Sequence, residues 1–148
     1  MDYTQAGRQG VCAVDENRER LAEIASKLRI GGYHRHVFLC VAGTCCPSKD
    51  GEEAWEALKK ELKDRGLTPG TDARAVYRTK VGCLRVCQDG PIALVYPEGT
   101  YYCGLTADRV PEFVKRHLID GRPVEEWVFA RNPLPLRPDA PTSPASPG

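Results

Sequence analysis

The sequence lacks any long hydrophobic run, and no apolar stretch approaches the ~20 residues that a membrane-spanning helix needs. Its first residues, Met1 to Arg8, contain no hydrophobic core of a signal peptide. A basic block is also missing, and the formal net charge of +1 argues against nucleic acid as the main partner. We therefore expect a cytoplasmic protein, whose thiols stay reduced.

Two motifs of common redox proteins are missing as well. No pair of cysteines has the CxxC spacing that thiol–disulfide oxidoreductases place at a helix N-terminus, where the helix dipole lowers the pKa of one thiol. No glycine-rich nucleotide-binding fingerprint is present, so a flavin or a nicotinamide would have to be bound by a partner. The three histidines have no metal-binding spacing relative to one another.

Cysteine, by contrast, is abundant. The chain of 148 residues contains seven cysteines, at positions 12, 40, 45, 46, 83, 87 and 103. Clustered cysteines in a reducing cell more often form metal or catalytic sites than disulfides, and an odd number fits a disulfide framework badly. A domain of this size buries roughly two thirds of its unfolded surface, so it does not need disulfides for stability.

Two cysteines stand four residues apart in the segment that we call the second cysteine loop, residues 82–91. One turn of helix would place the thiols of Cys83 and Cys87 on the same face. Gly82 and Gly90 flank the pair and allow the backbone to bend tightly. Such a pair is weak evidence by itself, and it gains weight from a second group of cysteines earlier in the chain.

That group forms the first cysteine loop, residues 40–46, which holds Cys40, Cys45 and Cys46. Two thiolates from each loop could bind zinc, a [2Fe–2S] cluster or iron alone. Structural zinc sites usually take their ligands from compact knuckles, and both spacings here are wider than the commonest one. A two-iron cluster is broader than one ion, so the spacing favours iron but leaves zinc open.

The hydrophobic pattern predicts an α/β or α+β domain. The long helical crossover between the first two strands requires them to be parallel, whereas a hairpin near residue 98 is antiparallel. The result is a mixed four- to five-stranded sheet with flanking helices, in the order of the thioredoxin-like fold. Helices are predicted at residues 15–30, 52–65 and 108–118. Strands are predicted at residues 37–40, 73–77, 92–96 and 101–105. A short apolar segment, residues 124–129, is expected to pack back on the domain.

The chain divides into three regions. Residues 1–32 form an N-terminal extension with one helix, whose stripe of Leu21, Ile24, Ala25 and Leu28 we expect to pack on the domain; a docking or dimer helix is the alternative. Residues 33–130 form the domain, and residues 131–148 form a proline-rich, flexible tail. Outside the two loops, Cys12 is expected to be a free cysteine and Cys103 a small hydrophobic residue of a strand.

Several segments resemble one known family. The segments are His36 to Cys40, Cys45 to Glu53, Gly82 to Cys87, Gly90 to Tyr102 and Ile119 to Glu126. They are similar to the thioredoxin-like [2Fe–2S] ferredoxins, whose fold and ligand pattern also belong to the small subunit of NADH dehydrogenases and related hydrogenases. The resemblance implies a single [2Fe–2S] cluster in a one-electron carrier, held by four matching cysteines.

The resemblance assigns the ligands as Cys40, Cys46, Cys83 and Cys87. Counting back from Gly51 to the cysteine before the polar run favours Cys46, with Cys45 as the alternative. Nearby Lys49, Arg78, Lys80 and Arg85 are expected to make the face of the cluster more positive, and backbone amides of the two loops to donate hydrogen bonds to sulfur.

The predicted function is ferredoxin-type electron transfer without substrate chemistry, and therefore not an enzyme. The partners are redox proteins, a donor and an acceptor that the sequence does not name, and a homodimer is possible. An alternative is an electron-transfer subunit of a larger flavin- or hydrogenase-type complex. A zinc-binding structural module is the other alternative.

Overall fold

Five strands form one mixed sheet in the order β2-β1-β3-β4-β5 in the computed structural model, which describes residues 15–41, 46–69, 74–86 and 88–134. The parallel pairing of β1 with β2 and the antiparallel pairing of β3 with β4 are confirmed. β1 also pairs antiparallel with β3, and β4 with β5. The strands are β1 (Arg35–Cys40), β2 (Val76–Val81), β3 (Ala93–Tyr96), β4 (Thr100–Tyr102) and β5 (Val128–Arg131).

Three α-helices occur within the described residues. They are α1 (Asp15–Lys27), α2 (Ser48–Asp64) and the short α3 (Val110–Phe113). α3 is the middle of a continuous helical segment that begins with the 3₁₀ turn Ala107–Arg109 and ends with the wider π turns of Val114–Ile119. A further 3₁₀ turn, Glu125–Trp127, leads into β5. No helix of the described residues is both long and apolar enough to pass through a bilayer.

The main core lies between the sheet and the helices. α2 contributes Ala54, Leu58 and Leu62, which are completely buried and share the i, i+4, i+8 face of the helix. Val37 and Leu39 of β1 meet them from the sheet. Because alternate residues of a strand point to opposite faces, the same strand carries Cys40 toward a different, smaller cluster.

The register of β1 and β2 brings the two cysteine loops together. Cys40, the last residue of β1, is paired with Val81, the last residue of β2. Both strands run in the same direction, because the helical crossover through α2 returns the chain to the starting edge. The first cysteine loop and the second therefore leave neighbouring strands at the same end of the sheet.

Several predicted boundaries were wrong, each for a local reason. α2 begins at Ser48 rather than at residue 52, because Gly51 is accommodated inside the helix. β2 lies at Val76–Val81 rather than at 73–77; it is an edge strand, where the polar side chains of its second half are tolerated. The 124–129 segment does pack back, and its end becomes β5 through pairing with β4.

Two further expectations are corrected. The second cysteine loop is not helical over its described residues 82–86 and 88–91, which form bends. Gly82 is not in the left-handed region, and a β-carbon there would meet no described atom within 4 Å. The helix α1 does not bury its stripe on the domain, since Leu21, Ile24 and Leu28 are 47%, 52% and 37% exposed. Cys12, Cys45, Cys87 and residues 135–148 lie outside the described residues, and so do the predictions that concern them.

A chain of polar contacts holds the β3–β4 turn against the helical segment. The N–H of Val124 donates to the Tyr102 hydroxyl over 3.0 Å, and that hydroxyl lies 2.7 Å from Nδ1 of His117. On the other side of the imidazole, Nε2 lies 3.4 Å from Oε1 of Glu98. Arg35 contacts the other oxygen of Glu98 at 2.7 Å. Burial by itself would raise the pKa of Glu98, but His117 and Arg35 outweigh it and lower the pKa to about 2.

Candidate metal centre

Cys40 and Cys46 lie in one small apolar cluster, apart from the main core. Both are buried, with exposed fractions of 1% and 8%, and Ile92 completes the cluster. Partly buried side chains from the end of β2, from the second cysteine loop, from β4 and from the residue after β4 pack around it, namely Val81, Leu84, Val86, Tyr101 and Cys103. The start and the end of the first cysteine loop are therefore gathered at one place, as the sequence predicted.

The thiol of Cys40 faces the second cysteine loop. Its Sγ lies 3.8 Å from the carbonyl oxygen of Gly82, the residue directly before Cys83. The N–H of Cys40 donates to the carbonyl of Ile92 over 2.9 Å, which ties the end of β1 to the start of β3. Cys40 is thus fixed between the two strands that border it, with its sulfur beside the backbone that carries Cys83.

Cys83 stands on the outer side of this arrangement. Its side chain is exposed, and its Sγ accepts a hydrogen bond of 3.1 Å from the N–H of Arg85. Arg85 adopts a left-handed conformation, with φ of 72°, so the chain turns sharply just after this amide. The expectation that backbone amides of the loops donate to sulfur is met at Cys83.

Zinc and iron sites are both built from thiolates, so the gathered cysteines fit either. Within residues 15–41, 46–69, 74–86 and 88–134, no three His, Cys, Asp or Glu side chains converge as a site for one metal ion. Cys87, a predicted ligand, and Cys45, the alternative to Cys46, fall in the gaps between these ranges. Of the predicted ligands, the described residues include Cys40 and Cys46, which share one cluster, and Cys83, whose preceding residue lies beside Cys40 Sγ.

Sequence similarity to known proteins identifies the family. Over 97 residues the chain is 35% identical to a 2Fe-2S ferredoxin of Clostridium pasteurianum, a match that covers 61% of this chain and 90% of the clostridial protein. A 2Fe-2S ferredoxin of Aquifex aeolicus is 29% identical over 111 residues, covering 68% of this chain and 94% of that protein. The chain belongs to the thioredoxin-like [2Fe–2S] ferredoxin family.

The solved structures agree with this family. A thioredoxin-like [2Fe-2S] ferredoxin from Aquifex aeolicus superposes with a TM-score of 0.59 at 28% identity, covering 70% of this chain and 96% of that one. No protein-family model matches the chain. The predicted family, the thioredoxin-like fold and ferredoxin-type electron transfer as the function class are confirmed.

Within this ferredoxin fold, Cys103 lies closer to the candidate metal centre than the sequence indicated. It follows directly after β4 instead of lying inside a strand, it is only half-buried, and it packs against the cluster of Cys40, Cys46 and Ile92. It also lines an open surface pocket of about 330 Å³. The signal was present in the sequence, because the two-residue period of a strand places Cys103 on the same face as Tyr101.

Most of the basic side chains near the centre contact carboxylates or the Trp55 ring of α2. Lys80 lies 3.3 Å from a carboxylate oxygen of Glu52 and over the ring of Trp55. The guanidinium of Arg78 also lies over that ring, 5.4 Å from its centroid.

Lys49 behaves like Lys80, because its ammonium group lies 3.9 Å from Glu53, although its side chain is 81% exposed. The positive charge expected from these residues is therefore partly offset by carboxylates of α2. Arg85 is the basic residue that stands within the second cysteine loop itself.

His36 is a structural residue, as expected. Its Nε2 lies 2.7 Å from the hydroxyl of Thr79 on the neighbouring strand, and its ring stacks on Phe38 with centroids 4.1 Å apart. Desolvation by burial lowers its pKa, which favours the neutral imidazole. The position between two strands and away from the small cluster of Cys40 and Cys46 excludes a direct role at the centre.

Proposed function

We propose that this ferredoxin carries single electrons on one [2Fe–2S] cluster held by Cys40, Cys46, Cys83 and Cys87. The observation that supports this proposal is the position of Cys40 Sγ, 3.8 Å from the carbonyl oxygen of the residue before Cys83. When bound, the cluster accepts and releases one electron between its two oxidation states. The protein then acts as a carrier between a donor and an acceptor, and not as an enzyme.

The protein contributes an asymmetric environment. Cys40 and Cys46 are buried against Ile92 and Val81, so this side of the site excludes water. Cys83 is exposed on the other side. A redox partner would therefore approach the second cysteine loop, where the side chain of a proposed ligand, Cys83, is exposed. Such an electron-transfer contact needs only a small interface.

Backbone groups of the second cysteine loop hold the negative charge of the site. The N–H of Arg85 donates to Cys83 Sγ, and such a donor offsets negative charge on the sulfur. The guanidinium of Arg85 adds a positive charge in the same loop, where it favours an acidic redox partner. Both contributions come from one residue.

We further propose the division of the chain into an N-terminal extension (1–32), a ferredoxin domain (33–130) and a proline-rich tail (131–148), in a cytoplasmic protein. The ordered backbone extends slightly past the boundary at residue 130, because β5 ends at Arg131 and the N–H of Asn132 donates to the carbonyl of Gly99 over 2.7 Å. The extension carries the helix α1.

Spectroscopy of the purified protein tests the function. The expected result is iron and sulfide in equal amounts, broad visible absorption that bleaches on dithionite, and a paramagnetic signal that appears on reduction. A colourless protein with stoichiometric zinc would overturn the proposal in favour of a structural zinc module.

Single substitutions test the ligand assignment. Cys40→Ser, Cys46→Ser, Cys83→Ser and Cys87→Ser are each expected to weaken or shift the visible spectrum, because serine replaces a soft thiolate by a hard oxygen. Cys45→Ser is the matched control, one residue from Cys46, and is expected to keep the wild-type spectrum. The reverse result at positions 45 and 46 would assign Cys45 as the ligand.

A further inference from the structure

The helix α1 presents an apolar stripe that the described domain does not cover. Leu21, Ile24 and Leu28 follow one another at spacings of three and four residues, which places them on one side of the helix. Each is at least 37% exposed, and Ile30, just past the helix, is 53% exposed. Grouped exposed aliphatic side chains of this kind mark interaction sites more often than scattered ones do.

The length of α1 indicates that it needs a partner. It has 13 residues, and a helix shorter than ~12–15 residues is only marginally stable in water without tertiary contacts. Its C-terminal end is nevertheless well closed: Arg29 is left-handed with φ of 60°, and the N–H of Ile30 donates to the carbonyl of Ala25 over 2.9 Å. The helix is thus built to stop at a defined residue, and its missing stabilisation must come from burial of the stripe.

The charged residues of α1 are distributed unevenly around the apolar stripe. At 100° per residue, Arg20 and Lys27 border the stripe on one side and Arg18 borders it on the other. Asp15, Glu19 and Glu23 lie on the opposite side of the helix, and Glu16 lies beside Lys27. The charged residues closest to the apolar surface, Arg18 on one side and Arg20 on the other, are therefore both cations.

We propose that α1 docks an amphipathic helix of another protein, whose apolar stripe is flanked by Asp and Glu. Aliphatic side chains of the two helices would pack together, and the acidic flanks would meet Arg18, Arg20 and Lys27. A second copy of this chain fits less well, because a symmetric pair juxtaposes the same cationic borders from both helices. The proposal does not depend on the cluster, since α1 lies outside the small cluster of Cys40 and Cys46.

The experiment uses the full chain and two designed peptides. Both are amphipathic helices with leucine on one stripe; the borders of that stripe carry glutamate in the first peptide and lysine in the second. The expected result is that the glutamate peptide binds at least about tenfold more tightly than the lysine peptide, with helix content rising on binding. Equal or reversed affinities would overturn the proposal.

Variants of α1 make the test specific. Ile24→Glu is expected to lose at least about tenfold of the affinity for the glutamate peptide, since it places a like charge in the stripe. Arg20→Glu with Lys27→Glu is expected to reverse the preference toward the lysine peptide. Glu19→Lys with Glu23→Lys, on the opposite side, is the matched control and keeps the preference for glutamate.

Two measurements complete the design. The thermal unfolding of each variant, followed by near-ultraviolet circular dichroism, is expected to match the wild type, because the exposed stripe contributes nothing to the core. Sedimentation of the full chain without peptide is expected to show no self-association through α1. A dimer that Ile24→Glu dissociates would overturn the proposal in favour of a second copy as the occupant.

Discussion

Gly51, inside the first turns of α2, lies directly against Val41, the residue that follows Cys40. A β-carbon on Gly51 would stand 2.9 Å from Cα of Val41 and 3.3 Å from its Cβ. Such distances are too short for a carbon–carbon contact, and one of the partners is backbone. This close contact fixes the position of the start of the first cysteine loop relative to α2, the helix that follows the loop.

Gly51→Ala is therefore expected to destabilise the protein, by about 1–3 kcal/mol. Helix propensity alone predicts the opposite, because alanine is favoured over glycine in a helix interior by about 1 kcal/mol. Urea unfolding separates the two effects, and the visible absorption per chain reports displacement of the loop. Gly82→Ala is the control, because its β-carbon meets no described atom within 4 Å. A more stable Gly51→Ala protein would contradict the close packing.

A second pair of glycines separates backbone strain from collision. Gly99 and Gly66 are both left-handed, with φ of +66° and +69°. A β-carbon on Gly99 would overlap the backbone carbonyl group of Asn132, whereas a β-carbon on Gly66 would meet no described atom within 4 Å. Gly66→Ala is expected to lower the free energy of unfolding by about 1–2 kcal/mol through backbone strain alone. Gly99→Ala is expected to lower it by more, because the collision adds to the strain. Equal losses in chemical unfolding would show that Asn132 moves aside freely.

The loss of folding stability at acidic pH is expected to depend on Glu98. Its pKa is lowered to about 2, so the charged carboxylate stabilises the folded state above the ordinary pKa of glutamate, 4.5. That contribution is lost as the pH falls from 4.5 toward 2. Glu98→Gln is therefore expected to be less stable than the wild type at pH 7, with the difference shrinking below pH 4.5. Urea unfolding of both proteins at several pH values measures it, and a constant difference would contradict the shifted pKa.

Cys103 tests whether closeness to the centre implies ligation. It packs against Cys40 and Cys46 but is absent from the proposed ligand set. Cys103→Ala is expected to keep the visible and paramagnetic spectra and to cost little stability, because the side chain is half-buried. Loss of iron in this variant would place Cys103 among the ligands. Cys40→Ala is the positive control, since it is expected to lose the cluster.

The sequence predicted the features that depend on pattern. The helical crossover required β1 and β2 to be parallel, and the apolar run before Cys40 indicated a strand with this cysteine at its end. The gathering of Cys40 and Cys46 beside the second loop followed from that topology. These predictions use only periodicity, turn residues and chain direction.

The features that the sequence did not predict depend on tertiary contacts. The pattern predicts α2 only from residue 52, because the fit of Gly51 against Val41 is visible only once helix and strand meet. The apolar stripe of α1 predicts packing on the domain, but the stripe is exposed in the structure. The apolar pattern of a helix is the same in both cases, so it does not identify the surface that covers the stripe. The left-handed backbone of Arg85 gave no signal either, since arginine has no preference for that conformation.

The pairing of Cys40 with Val81 has a consequence for how such a domain tolerates insertions and deletions. The pairing holds the ends of β1 and β2 side by side whatever the number of residues between Cys40 and Cys46. A change in the length of that interval is therefore expected to leave the sheet intact, whereas an insertion within β1 or β2 would move one strand end past the other.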